Sequence, residues 1–193
     1  MLILSERFQF ESQTISWGRI GSGPPLVLIH GTPFSSQVWR NIAPHLARFW
    51  TVYYFDLAGY GQSEMRDGQD VSLGLQNRLF AALLDHWQVS RPEVLCHDFG
   101  GATALRAHYL NAILYARLTL IDPVAVAPWG SPLVRHVRQH EAAFSGMPGY
   151  MHDAVLAAYL QTAAVRTLGP VGVHHVGNGD ARQNLANALI HLA

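Results

Sequence analysis

The stretch P-E-V-L-C-H-D-F-G-G-A-T-A-L-R, residues 92–106, decides the fold. A short apolar run ends at His97 and Asp98, and two glycines, Gly100 and Gly101, then open a segment that reads as a helix over about 100–110. Short continuous apolar runs suit a strand buried on both faces, as in parallel sheets. Small residues just beyond such a strand permit a sharp strand-to-helix turn that projects the side chain at its apex, here Asp98. The helix N-terminus adds unpaired N–H groups and the positive end of a dipole, which together favour an ionised carboxylate and so a usable nucleophile. A plainer role competes: Asp is a preferred helix N-cap, worth about 1 kcal/mol, and for an aspartate taken alone capping is the commoner use.

Outward from this turn the same unit recurs. Upstream, G-S-G-P-P leads into the buried run L-V-L-I (26–29), then H-G-T-P-F-S-S (30–36) and a helical segment around Trp39 to Arg48. T-V-Y-Y-F follows and ends at Asp56, and D-L-A-G-Y-G-Q-S (56–63) is a glycine-punctuated loop. From about Ser72 to Trp87, Leu73, Leu75, Leu79, Leu83 and Leu84 recur at helical spacing. Downstream, L-T-L-I-D closes at Asp122. Residues 2–10 and 13–20 alternate loosely and predict an opening antiparallel pair. Repeated strand–loop–helix units imply an α/β fold with a doubly wound, mostly parallel sheet. The expected division is a core over 1–123 and, over 124–193, a helical cap-like segment with an irregular, glycine-rich tail.

Composition narrows the function. At 193 residues one core is the expectation. Charged residues make up 13% of the chain, about half the usual share, and Lys+Arg balance Asp+Glu at 13 each, which argues against a nucleic-acid partner. The single cysteine, Cys96, excludes an internal disulfide and fits a reducing compartment; it reads as buried apolar filler. With no signal-peptide pattern and no long apolar run, the expected location is cytoplasmic, with no membrane partner. The glycine loop at 56–63 lacks both nucleotide-binding spacing and a P-loop lysine, so it reads as a tight loop bordering a site. His136 and His140 are spaced i, i+4 but lack the Glu and third ligand of a zinc protease, so no metal or cofactor is expected.

Taken in order, H-G-T-P-F-S-S, D-L-A-G-Y-G-Q-S and C-H-D-F-G-G (96–101) resemble the α/β-hydrolase superfamily, and within it the epoxide hydrolases and haloalkane or haloacid-type dehalogenases, where Asp replaces Ser at the turn. The resemblance covers about 25–125 well and the rest loosely. It implies that Asp98 is the nucleophile, attacking a carbon that bears an epoxide oxygen or a halide to form an alkyl ester on a small apolar substrate. It further implies a hole for negative charge made by the backbone N–H groups of Thr32 and Phe99, shaped by His30, Gly31, Pro33, Gly100 and Gly101. His30 itself is expected to be a structural imidazole supporting the loop. Asp122 matches one of the two places where the family puts the carboxylate that orients its catalytic His. Tyr150 and Tyr159 are the candidates for the cap tyrosines that protonate an opening epoxide.

The chain also departs from the pattern. Haloalkane dehalogenases usually carry Trp directly after the nucleophile and Asn in the H-G-x-P loop; Phe99 and Thr32 stand there instead, and Phe has no N–H for a halide. No Arg follows Asp98, against a carboxylate-bearing substrate, and a carboxylate attacking an acyl carbon would give an anhydride, against an ester substrate. Epoxide opening fits best. The family continues with further strands and then its catalytic His, so the chain is expected to be a fragment or a shortened member, with impaired turnover and an exposed sheet edge near Leu118–Ile121 that favours homo-oligomers. No pattern places His174 or His175 over Asp98 as a substitute base. The alternative function is a non-catalytic small-molecule-binding or association protein on the same fold.

Overall fold

The computed structural model describes residues 1–66, 68–127 and 130–163. Six strands form one sheet: β1 (Glu6–Phe10), β2 (Gln13–Ile20), β3 (Pro25–Ile29), β4 (Thr51–Phe55), β5 (Glu93–His97) and β6 (Arg117–Ile121), in the order β1-β2-β4-β3-β5-β6. β1 pairs antiparallel with β2 and β2 with β4, whereas β4, β3, β5 and β6 run parallel. The expected opening pair and the mostly parallel sheet are both present.

Strand periodicity sorts the core into two layers, because successive side chains leave opposite faces. Val27 and Ile29 of β3 join Tyr53 and Phe55 of β4, Val94 and Cys96 of β5, and the helices α2 (Leu73–His86) and α3 (Phe99–Asn111). The alternate residues Leu26, Leu28, Val52 and Tyr54 face Trp39 and Ala43 on the other side. Burial on both faces explains why these strands read as unbroken apolar runs. Ser72 caps α2 by accepting from the Leu75 N–H, and Leu75, Leu79 and Leu83, spaced by four, are buried.

Two elements differ from expectation. The helix expected around Trp39–Arg48 is a 3₁₀ turn, Ser36–Trp39, followed by the short α1, Ala43–Leu46. Pro44 has no N–H and is tolerated only in a helix's first turn, so the helix cannot run through it. β1 starts at Glu6 rather than at residue 2, since the backbone of Leu2 bonds instead to the Gln37 side chain through both N–H and C=O.

Beyond β6 the described residues form α4 (Pro132–Gln139), α5 (Glu141–Ser145) and α6 (Gly149–Ala163). Val134, Val137, Leu156 and Leu160 from these helices share one apolar cluster with Leu57, Tyr60 and Phe99, which brings them to the carboxyl end of the parallel strands. The helical run expected over about 180–192 lies outside the described residues. β6 is largely exposed, with Leu120 at 37% and Ile121 at 44%, and among the described residues only β5 pairs with it. No described helix is long and apolar enough to cross a membrane.

Candidate active site

The strand order β4-β3-β5 means that the chain leaves β3 to one side and returns on the other, a topological switch point. Loops at the carboxyl ends of strands diverge there and open a crevice. His30, Gly31 and Thr32 follow β3 at this point, and Asp98 follows β5.

Asp98 holds φ 52°, ψ −118°, a conformation that costs a non-glycine residue about 1–3 kcal/mol. Its backbone is fastened from three sides: its N–H donates to Ile121 C=O at 3.1 Å, and its C=O accepts from Gly101 N–H at 2.9 Å and Val124 N–H at 3.2 Å. Although Asp98 occupies the N-cap position of α3, its side chain makes no capping bond. The carboxylate turns to the facing loop instead, where Oδ1 accepts from the Thr32 N–H at 2.8 Å and from Thr32 Oγ1 at 3.1 Å. Oδ2 and the Phe99 N–H have no hydrogen-bond partner among the described residues. Gly31 makes this approach possible: a Cβ there would lie 2.4 Å from Asp98 Cβ. A Cβ on Gly100 would lie 2.5 Å from His30 O, and one on Gly101 2.6 Å from Pro123 Cβ, so both glycines let α3 start close to the strands.

Hydrogen bonds fasten the loop that follows β3. The Thr32–Pro33 peptide is cis, and Phe34 N–H donates to Gly31 C=O at 3.1 Å. His30 is fully buried; its Nε2 accepts from the Leu57 N–H at 3.0 Å, so its proton sits on Nδ1 and is donated to Gly31 C=O at 3.0 Å. Both nitrogens are therefore engaged in holding loops. Burial lowers the pKa of this imidazole, against the opposing pull of Asp56, the Gly31 carbonyl and Asp98. A neutral buried His resists protonation in the folded state, so its contribution to stability is complete above the usual value of about 6.5 and is lost as pH falls from there through the lower folded value. The urea midpoint is expected to drop between pH 7.5 and pH 5, and a His30→Gln variant, weaker at neutral pH, is expected to lose this part of the slope.

Two residues not singled out from the sequence organise the second loop. Asp56 is fully buried, its Oδ1 accepting from Ser36 N–H and its Oδ2 from Gln62 N–H, each at 2.7 Å. It thus ties 30–36 to 56–63. Gly61, at φ 58°, is required beside it, since a Cβ would lie 2.2 Å from Asp56 Oδ2. Gln76 of α2 pairs with the Ala58 peptide in both directions, at 3.2 Å and 2.9 Å. A polar residue within the leucine stripe of α2 was the signal available for it.

The remaining candidates separate by position. Tyr159 of α6 is half-buried; burial raises its pKa, the Asp98 charge adds to this, and a bond with the Ser131 side chain opposes it. Tyr60 is fully buried with its ring edge-on to His30 at 5.6 Å, its hydroxyl has no partner among the described residues, and burial and then Asp98 raise its pKa. Tyr150 is 73% exposed. Asp122, at φ 43°, is exposed in the turn after β6, two residues before the Val124 N–H that binds Asp98 C=O. His174 and His175 lie outside the described residues. Cys96 is buried with its thiol pushed up to about 12 by burial, unfit for nucleophilic work at neutral pH. Among the described residues no group of three ligating side chains could hold a metal.

A family model described as alpha/beta hydrolase fold matches residues 24–178. An alpha/beta hydrolase fold protein of known structure from Burkholderia ambifaria is 56% identical with a TM-score of 0.93, over 100% of this chain and 72% of that one. A soluble epoxide hydrolase of Corynebacterium sp. (strain C12) is 39% identical over 108 residues, 54% of this chain and 36% of that protein. A haloalkane dehalogenase of Mesorhizobium japonicum is 39% identical over 92 residues, 47% of this chain and 29% of that protein. The chain therefore spans about a third of the length of these curated relatives. With the switch-point crevice and strained turn in place, and four-fifths of its length matched, the chain belongs to the alpha/beta hydrolase fold family.

Proposed function

We propose that this chain is a hydrolase whose Asp98 forms an alkyl-enzyme ester with small apolar substrates, epoxides before alkyl halides. The observation that carries the reading is the carboxylate's orientation: at the N-cap position of α3 it leaves the helix uncapped and binds the opposite loop through Oδ1 alone. A strained aspartate that does not cap its helix, with an oxygen that no described residue engages, supports a role in attack.

In this scheme Oδ2 attacks the substrate carbon, and the electron pair of the broken carbon–oxygen or carbon–halogen bond leaves on the oxygen or halide. An alkoxide needs a proton, whereas a halide does not. The Tyr159 phenol, within the field of Asp98, is the candidate donor, which favours epoxides, and the missing indole at Phe99 points the same way. Water then adds to Cγ of the ester, losing a proton to a histidine for which Asp122 is the candidate orienting carboxylate, while the N–H groups of Thr32 and Phe99 hold the charge on Oδ1; collapse breaks the Cγ–Oδ2 bond and the departing product oxygen takes the proton back from that histidine. The curated relatives supply the same two chemistries in their names, epoxide hydrolase and haloalkane dehalogenase.

Intact-mass spectrometry after incubation with panels of epoxides and alkyl halides tests this, alongside assay of the released diol or alcohol. Product, or a single covalent adduct mapped to Asp98, is expected. A folded protein giving neither would leave a non-catalytic small-molecule binder as the better account.

The exposed edge of β6 carries a second part of the proposal. Unpaired strand edges flanked by apolar side chains template association, and Leu120 and Ile121 of β6 are exposed. The 193-residue chain is expected to sediment as more than a monomer, and Leu120→Lys to shift it toward monomer. A monodisperse parent monomer would contradict this.

A further inference from the structure

Thr32 makes two hydrogen bonds to one oxygen of Asp98, and the scheme above uses only that from its N–H. The second, from Oγ1 to Oδ1 at 3.1 Å, comes from a half-buried, β-branched side chain with restricted χ1 on a loop fastened by His30 and by Phe34 N–H. A hydroxyl has one proton to donate. While it points at Oδ1 it is not available to a leaving group, so this loop residue cannot act as a halide clamp.

We infer that the Thr32 hydroxyl is a catalytic oxyanion donor in its own right, acting on cleavage of the Asp98 ester and not on its formation. The inference rests on Asp98 being the nucleophile. The two steps change the charge on the carboxylate in opposite directions. When Oδ2 attacks carbon, the carboxylate loses its negative charge, so a donor on Oδ1 stabilises the starting state more than the ester and gives no acceleration. When a nucleophile then adds to Cγ, the π pair of Cγ=Oδ1 moves onto Oδ1, and the same donor now strengthens its bond as the charge builds. Collapse returns that pair, breaks the Cγ–Oδ2 bond and releases the product oxygen. A donor held in place by a hydrogen-bonded loop therefore selects for the second step.

Thr32→Val keeps the shape and the backbone N–H and removes only the hydroxyl proton; Thr32→Ser restores it. The full chain is alkylated with a small epoxide, excess reagent is removed, and loss of the adduct is followed by intact mass in buffer and with added hydroxylamine, which cleaves the ester through the same oxyanion. Thr32→Val is expected to form the adduct at least as fast as the parent and to lose it about 10²-fold more slowly, the usual effect of one missing oxyanion donor. Thr32→Ser is expected to match the parent in both steps, and all adducts to cleave alike once denatured. Cleavage of the Thr32→Val adduct at the parent rate, or equal slowing of both steps as a displaced loop would produce, overturns the inference. An adduct on Asp98→Asn, or none on the parent, overturns instead the nucleophile assignment beneath it.

Discussion

On the proposed function, Asp98→Asn is expected to abolish alkylation of the chain by epoxides and alkyl halides, with a loss of about 10⁴-fold or more in the rate of adduct formation, the scale seen when a nucleophilic unit is broken. The substitution is isosteric. Its amide oxygen can still accept from the Thr32 N–H and hydroxyl, and Asn is among the residues that best tolerate the positive φ held at this turn. Neither the loop bond nor the backbone is therefore lost, and the unfolding free energy from urea titration is expected to change by under about 1 kcal/mol. What disappears is the charge on the attacking oxygen. Because the fold survives, the kinetic result isolates the chemistry: intact-mass time courses on parent and variant should separate completely, and a variant that alkylates at the parent rate would show that another side chain attacks.

The largest effect on stability is expected at Asp56 rather than at Asp98. Removing its carboxylate strands the buried Ser36 N–H and the part-buried Gln62 N–H, each bonded at 2.7 Å. At about 1–3 kcal/mol for an orphaned buried donor, and less for the Gln62 N–H, which solvent reaches, Asp56→Ala should cost about 2–4 kcal/mol, a large share of a domain's stability. Asp56→Asn should fall between, since one oxygen is retained while an NH₂ faces the second N–H. The consequence reaches the site, because this side chain joins the loop that carries Thr32 to the loop that carries Leu57, the donor to His30. Alkylation should fall together with the urea midpoint in Asp56→Ala, whereas in Asp98→Asn the two separate. A loss of unfolding free energy below about 1 kcal/mol would mean that water or a moved neighbour satisfies the stranded groups.

Much of the architecture is legible in the sequence. The buried runs 26–29 and 51–55, the strand before Asp98 and the leucine stripe of the second helix are local patterns, and each formed where its period predicts. The helix expected around Trp39 to Arg48 is broken because Pro44, lacking an N–H, fits only a helix's first turn and so decides where a helix can begin.

The sequence by itself determined that Asp98 stands at a sharp turn between a buried strand and a helix, because that depends on neighbours a few positions away: the apolar run before it and the glycines after it. Only the tertiary structure decided what the carboxylate does there. Its partner, Thr32, is 66 residues distant, and Asp56 reaches its own partner 20 residues back. Of the two candidate tyrosines, Tyr159 lies within the field of Asp98 and Tyr150 is exposed, a distinction that helical spacing on one short segment cannot make. Such contacts follow from the strand order β4-β3-β5, set by how the whole sheet buries its two apolar faces, and no local pattern in the chain encodes that order.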